Sequence, residues 1–237
     1  MRLVRAMTEF RYEREMLAPA RRWLSNQGMM VKEEFTTPWG VCDLVAVSLD
    51  QEHVRERLQL GQRAAIGPLT RVRILSAIPK VETNASEIVK TIMSSYRGVL
   101  TPSHLREEID RLIAGKFVKE GERGTLQRIN GWAPLHRRLV ALELKLSRVQ
   151  DALAQAASHQ AFAEGSYVGL PTDVAERIVT SQRAASFRSE GVGILSVGKD
   201  GCRIVLRPKA RRYPLNPALQ MHCVERFWRS WLRGSAS

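Results

Sequence analysis

Short runs of apolar residues, several of them alternating with polar ones, predict the strands of this chain. They lie at residues 29–35, 40–49, 140–146, 167–170, 193–197 and 202–206. Apolar residues with the period of a helix recur at residues 8–26, 149–164 and 173–186. Thr8 is a candidate N-cap for the first helix, and residues 37–40 form a turn between the first two strands. This alternation indicates an α/β sandwich with a mixed central sheet.

The middle of the chain has a different pattern. Residues 51–63 are polar and charged, and three helical segments and a short hairpin follow within residues 64–130. Thr101 is a good N-cap for the third of these helices, and Pro102 would take its first position. Three helices followed by a hairpin predict a winged helix-turn-helix.

Length and composition allow this module to be an insertion. With 237 residues, 44% of them hydrophobic, the chain can form one sizeable globular domain or two small ones. We therefore expect a discontinuous core of residues 1–50 and 131–237. Residues 51–130 would interrupt it as an inserted winged-helix domain with its linker.

The charge of the chain favours a polyanionic partner. Lys and Arg number 37 against 24 Asp and Glu, which gives a net charge of +13. Positive charge attracts nucleic acid and releases its counterions, so DNA is the expected partner. An anionic membrane surface would need an apolar anchor, and neither a long apolar run nor a signal peptide is evident. We expect a cytoplasmic protein that does not associate with membranes.

Several kinds of site find no support in the sequence. The three cysteines lack C-x-x-C spacing and are most simply reduced thiols. The five histidines form no H-E-x-x-H motif, and there is no glycine-rich phosphate loop or dinucleotide fingerprint. Zinc, ATP and NAD are therefore not indicated.

Candidate chemistry comes from charged residues inside apolar strands. In residues 140–146 the apolar side chains share one face, while Glu143 and Lys145 share the other. Taken alone, such a triplet is usually explained by an exposed or edge strand whose charged face meets water. However, Asp43 lies in a second apolar run, and a buried carboxylate needs a partner or a metal ion. Two carboxylates and a lysine are consistent with a metal-dependent phosphodiesterase site.

These residues resemble the PD-(D/E)XK nuclease superfamily, which includes many restriction enzymes. The matching residues, in chain order, are Glu13, Asp43, Glu143, Lys145 and Gln155. The likeness covers about residues 8–50 and 137–210, and residues 148–171 resemble a bacterial branch of the superfamily. One position departs from the motif, because Cys42 rather than a proline precedes the aspartate.

The resemblance implies a three-layer, restriction endonuclease-like core and a DNA endonuclease. Asp43 and Glu143 would bind Mg²⁺ or Mn²⁺, with Glu13 assisting directly or through water. Lys145 would position or deprotonate the attacking water, and Gln155 would hydrogen-bond a carboxylate, a water or a phosphate. The alternative is a non-catalytic regulator, or a subunit of a DNA-processing complex, that binds DNA through the winged helix.

Two basic surfaces are expected to contact DNA, one on the hairpin and one on the last helix. The predicted contacts are Lys116, Lys119, Arg123, Arg128, Arg226, Arg229 and Arg233. The aromatic residues of the last helix suit a core or a homodimer contact better than stacking on bases. Glu107, Glu108 and Asp110 on the third inserted helix oppose phosphate binding there, so that helix could instead bind a protein partner.

Overall fold

The structure is a computed structural model that describes residues 9–38, 40–129, 134–209 and 216–234. The strands are β1 (Met30–Thr37), β2 (Gly40–Leu49), β3 (Thr83–Asn84), β4 (Val118–Glu120), β5 (Thr125–Arg128), β6 (His136–Leu144), β7 (Gly165–Pro171), β8 (Gly193–Val197) and β9 (Cys202–Leu206). The helices are α1 (Leu17–Ser25), α2 (Gln51–Gln59), α3 (Leu69–Ala77), α4 (Ala85–Ser95), α5 (Pro102–Ala114), α6 (Val149–His159), α7 (Thr172–Val179), α8 (Ala184–Glu190) and α9 (Pro217–Gly234). Short 3-10 helices cover Glu13–Met16 and Glu122–Gly124.

The chain forms two compact units. The first contains residues 1–48 and 138–216, and the second contains residues 49–137 and 217–237. The prediction that residues 131–237 all belong to the first unit is therefore wrong for α9. Its inner face packs in the core of the second unit, where Met221 joins the apolar residues of α3, α4 and α5.

A mixed sheet forms the centre of the first unit. Its strand order among the described residues is β1-β2-β6-β7-β8-β9. The pairs β1–β2 and β8–β9 are antiparallel, whereas β6, β7 and β8 run parallel. Parallel neighbours require a crossover connection, and α6 connects β6 to β7 while α7 and α8 connect β7 to β8. The predicted α/β class with a mixed central sheet is confirmed.

Helices cover both faces of this sheet. Val140, Leu142 and Leu144 of β6 pack in one core cluster with α1. On the other side, apolar residues of β7 and β8 pack against α6, α7 and α8. Ala152 and Ala156 are fully buried in α6, and their small side chains allow that helix to lie close to the sheet. The sheet therefore lies between two helical layers.

The structure differs from the sequence prediction at residues 51–63 and at residues 173–186. The charged residues 51–63 contain α2, because Asp50 caps the helix by accepting hydrogen bonds from the backbone amides of Glu52 and His53 at 2.9 and 3.3 Å. The single helix predicted at residues 173–186 is instead two helices, α7 and α8. The proposed cap Thr8 lies outside the described residues, as does Trp39 in the predicted turn.

The second unit combines helices with a small antiparallel sheet. Along the chain its central elements follow the order α3, β3, α4, α5, β4 and β5, and the sheet order is β3-β5-β4. Thr101 caps α5 by accepting a hydrogen bond from the amide of His104, with Pro102 in the first turn, as predicted. None of the described helices is long and apolar enough to cross a bilayer.

Candidate active site

Neighbouring strands bring Asp43 and the Glu143–Lys145 pair together. Asp43 lies on β2, and its Oδ2 accepts a hydrogen bond of 2.7 Å from the backbone amide of Leu144 on β6. Leu144 is the residue between the two motif side chains. Positions about 100 residues apart in sequence are thus joined in one place by the strand order of the sheet.

Glu143 lies in the interior, where its carboxylate has two basic neighbours. Its side chain is only 2% exposed. Lys145 Nζ lies 2.8 Å from Oε1, and His159 Nε2 lies 3.4 Å from Oε2. Burial raises the pKa of Glu143, but the hydrogen bonds from His159 and Lys145 outweigh it, so the net pKa is lowered. Glu143 is therefore an ionised, buried carboxylate.

The 3-10 helix before α1 adds a third carboxylate. Glu13 Oε1 accepts a hydrogen bond of 3.2 Å from the backbone amide of Leu146, and its Oε2 lies 3.9 Å from Lys145 Nζ. Glu13 is 45% exposed at its side chain, so it lies at the solvent side of the site. The Lys145 ammonium consequently contacts one buried and one exposed carboxylate.

The pKa values of Asp43 and Lys145 are both raised, but the causes differ. Burial raises the pKa of Asp43, and the charge of Glu143 adds to this effect, although the Leu144 amide opposes it. Burial lowers the pKa of Lys145, but its hydrogen bond and charge interaction with Glu143 outweigh burial and raise the pKa overall. Lys145 is therefore held as an ammonium ion.

The predicted helix residue Gln155 is not part of this cluster. Gln155 is exposed on α6, and its side chain makes no hydrogen bond with Glu13, Asp43 or Glu143. The buried polar residue of that helix is His159, one turn later, which packs near Phe162 with ring centroids 5.8 Å apart. The buried face of α6 contains the small residues Ala152 and Ala156, and His159 lies on the same face.

Cys42, Glu143 and His159 form a cluster that the sequence did not reveal. Their potential ligand atoms lie within 4.8 Å of one another, and all three residues are buried. The Cys42 thiol contacts the backbone oxygens of Leu44 at 3.3 Å and Leu142 at 3.6 Å. The sequence contains only two weak indications of this cluster. A cysteine stands in place of the motif proline, and a histidine lies on the inner face of α6.

The residues predicted to contact DNA all lie in the second unit. Lys116, Lys119 and Arg123 are exposed around β4 and the turn after it. Arg128 is half-buried, and its Nη1 donates a hydrogen bond of 3.5 Å to the carbonyl of Ser76. Burial lowers the pKa of Arg128. It is therefore the least accessible of the four hairpin residues.

On α9 the exposed arginines are Arg229 and Arg233, whereas Arg226 is half-buried and burial lowers its pKa.

On α5, the interpretation of Glu108 as an exposed acid is wrong. Glu108 is 2% exposed and forms ion pairs with Arg71 and Arg111, and its distance to Arg71 Nε is 2.5 Å. The exposed face of α5 is therefore less acidic than predicted.

Comparisons with known proteins do not identify a family. No family model matches the chain, and no curated protein matches it. Among solved structures, it is similar to a protein of unknown function from Silicibacter pomeroyi, with 11% sequence identity and a TM-score of 0.44. The similarity covers 94% of this chain and 88% of the other.

Proposed function

We propose that the first unit is a metal-dependent endonuclease of the PD-(D/E)XK type, which hydrolyses phosphodiester bonds of DNA. The observation that carries the proposal is the convergence of Asp43, Glu143 and Lys145. Two distant parts of the chain contribute to one small region, in which burial raises the pKa of Asp43 and the contact with Glu143 raises that of Lys145. Such shifted groups are typical of functional sites.

The donor set suits a hard divalent cation. Carboxylate oxygens are the ligands that Mg²⁺ and Mn²⁺ prefer, and Asp43, Glu143 and Glu13 would supply them. The raised pKa of Asp43 supports this assignment, because a nearby cation would stabilise its charged form. When bound, the metal would polarise the phosphate and promote ionisation of a water molecule.

The protein side chains have complementary roles in this proposal. Because its pKa is raised, Lys145 acts through its positive charge, which orients the phosphate and stabilises the charge that develops during displacement. Glu143 holds the ammonium in place at 2.8 Å. Of the two roles expected for Lys145, positioning is therefore favoured over proton abstraction.

A DNA-binding role for the second unit is the second candidate. Its order of elements, α3-β3-α4-α5-β4-β5, with sheet order β3-β5-β4, favours a winged helix-turn-helix with α5 as the recognition helix. The exposed Arg123 lies in the turn between β4 and β5, and the exposed Lys119 lies on β4. In a regulator or a subunit of a DNA-processing complex, this unit would bind DNA, or a protein partner, without any cleavage by the first.

Cleavage assays with a matched pair of lysine variants test the nuclease proposal. Lys145→Ala removes the buried ammonium, whereas Lys199→Ala removes an exposed one from the same unit. With Mg²⁺ or Mn²⁺, we expect Lys145→Ala to cut at least about 10²-fold more slowly and Lys199→Ala to match the wild type. Plasmid, linear, single-stranded and branched DNA are the substrates, and EDTA should stop the reaction.

Binding measurements on the same DNA forms separate the two candidates. If the wild type binds DNA tightly but cuts none of the four forms with either metal, the regulator replaces the nuclease. If Lys145→Ala and Lys199→Ala cut equally well, the proposed site is wrong even though a nuclease is present.

A further inference from the structure

Next to the carboxylates proposed for Mg²⁺, the first unit contains a different set of donors. Cys42 and His159 offer sulfur and nitrogen, and both lie beside the buried carboxylate of Glu143. A thiolate and an imidazole favour softer cations than Mg²⁺, whereas carboxylates bind both kinds. We propose that Cys42, Glu143 and His159 form a binding site for a thiophilic divalent cation such as Zn²⁺.

The distances suit such an ion. Typical Zn–N and Zn–O bonds place two tetrahedral ligand atoms about 3.4 Å apart. His159 Nε2 and Glu143 Oε2 are separated by 3.4 Å, which is long for a hydrogen bond and matches the spacing of two such ligand atoms. All three ligand atoms lie within 4.8 Å of one another. A side-chain shift on the order of 1 Å at Cys42 would complete a three-ligand site with an open fourth position.

His159 lies in the interior of the first unit. The residue is 4% exposed, and its Nδ1 is buried without a hydrogen-bond partner in the described part of the chain. A buried histidine with a purely structural role normally has its polar atoms satisfied. The nitrogen that faces Glu143 is Nε2, and it is this atom that the proposed ion would bind.

Cys42 would bind as a thiolate, and the cation takes the place of the thiol proton, which is released to solvent. The thiol itself makes only weak contacts with two backbone carbonyl groups. Burial and the charge of Glu143 raise its pKa, so the charge of the bound cation would have to stabilise the thiolate. The consequence for catalysis rests on the proposed nuclease function. Because Glu143 belongs to both donor sets, Zn²⁺ at this site would compete with Mg²⁺ and with Lys145 for the carboxylate.

Cobalt binding tests the site without any substrate. Co²⁺ replaces Zn²⁺ at such sites and absorbs in the near ultraviolet when a thiolate binds it. After EDTA treatment, the full-length wild type should develop this band, reach saturation at one ion per chain, and lose the band when Zn²⁺ is added. Cys42→Ser should abolish the band, whereas Cys202→Ser, at a half-buried cysteine of the same unit, should retain it.

His159→Gln should weaken Zn²⁺ binding at least about tenfold, the minimum expected even for residues that only support a ligand. A folded wild type that shows no thiolate band, or a band unchanged in Cys42→Ser, would overturn the proposal. The test of the Zn²⁺ site and the test of the nuclease proposal can succeed or fail independently. A thiolate band without DNA cleavage supports the metal site and rejects the nuclease, and cleavage without the band does the reverse.

Discussion

Asp43 is held in an environment that opposes its own ionisation. Burial raises its pKa, and Glu143 is a second negative charge nearby. The hydrogen bond from the Leu144 amide at 2.7 Å and the charge of Lys145 oppose this effect only in part. A neutral amide side chain could accept that bond equally well. The charge of Asp43 therefore lowers stability, and groups with such shifted pKa values are typical of functional sites.

Asp43→Asn should therefore separate stability from activity. The variant keeps an acceptor for the Leu144 amide but removes a desolvated charge, so its free energy of unfolding should equal or exceed that of the wild type. DNA cleavage should fall at least about 10²-fold. Urea unfolding and cleavage rates measure the two effects. Asp200→Asn, at an exposed position, is the control and should change neither. A strongly destabilised Asp43→Asn protein would contradict this account.

At the scale of residues, the sequence predicted the charged groups of the site better than their neighbours. Asp43, Glu143 and Lys145 were recognisable because charges inside apolar runs need an explanation. Cys42 and His159 were not, because cysteine and histidine are common in ordinary cores and their proximity depends on strand order. Gln155 was expected in the site, but the exact rotation of α6 exposes it and buries His159 instead. A helical period does not fix that rotation to within one residue.

At the scale of elements, α9 is joined to the second unit by a buried ion pair. Arg57 of α2 and Glu225 of α9 are 1% and 2% exposed and form a two-pronged contact, with Nη2 and Oε2 2.9 Å apart. Glu225 also accepts a hydrogen bond from the Ile66 amide, and the Arg57 guanidinium lies 4.5 Å from the Trp228 ring centroid. The pair is fully buried, and its polar atoms form hydrogen bonds with their surroundings.

Removing one partner of this pair should be costly. Glu225→Ala leaves the Arg57 charge buried and uncompensated, and the expected loss is about 3–5 kcal/mol of unfolding free energy. The double variant Arg57→Met/Glu225→Leu should recover much of this loss, because no unpaired charge remains. The control is Glu176→Ala, which breaks an exposed pair with Arg203 and should cost less than about 1 kcal/mol. Urea unfolding followed by tryptophan fluorescence measures all three.

Strand β7 depends on a glycine beside the candidate site. Gly169 pairs with Leu144 of β6, and its carbonyl accepts a hydrogen bond of 3.1 Å from the Lys145 amide. A Cβ at this position would lie 2.5 Å from Leu144 Cδ2, inside the core. Gly169→Ala should therefore destabilise the protein by about 1–3 kcal/mol through overpacking. Gly201→Ala, where a Cβ meets open space, should leave the thermal unfolding midpoint almost unchanged; equal midpoints for both variants would contradict the packing argument.

Element boundaries were predictable where apolar period and caps agreed. Helix α5 is an example, since Thr101 and Pro102 mark its start. Helix α2 was missed because its surface is charged, and only Val54 and Arg57 are buried along it. The division of residues 173–186 into α7 and α8 was also missed, since no glycine or proline lies between them. Tertiary contacts, which the linear pattern does not contain, decide both cases.

At the scale of the whole molecule, the proposed functions follow the division into units. The three carboxylates and Lys145 belong to the first unit, and all seven residues predicted to contact DNA belong to the second. The second unit is also built from two separate stretches of the chain, because α9 returns to it after the first unit is complete. The sequence predicted an insertion, but it did not predict this return. The apolar pattern of an amphipathic helix shows which face is buried, but it does not show which elements pack against that face.

That return makes a specific prediction for deletions. Replacing residues 51–130 with a short Gly/Ser linker removes the residues of α2 to α5 that pack against α9, and it exposes apolar side chains such as Met221 and Trp228. We expect this protein to aggregate, since exposed apolar surface of that size promotes association. If the chain is also ended after residue 216, the first unit should remain a folded monomer, because the removed parts then form one unit. Size-exclusion chromatography and circular dichroism distinguish the two deletion variants. Equal solubility of both deletions would show that α9 does not depend on residues 51–130.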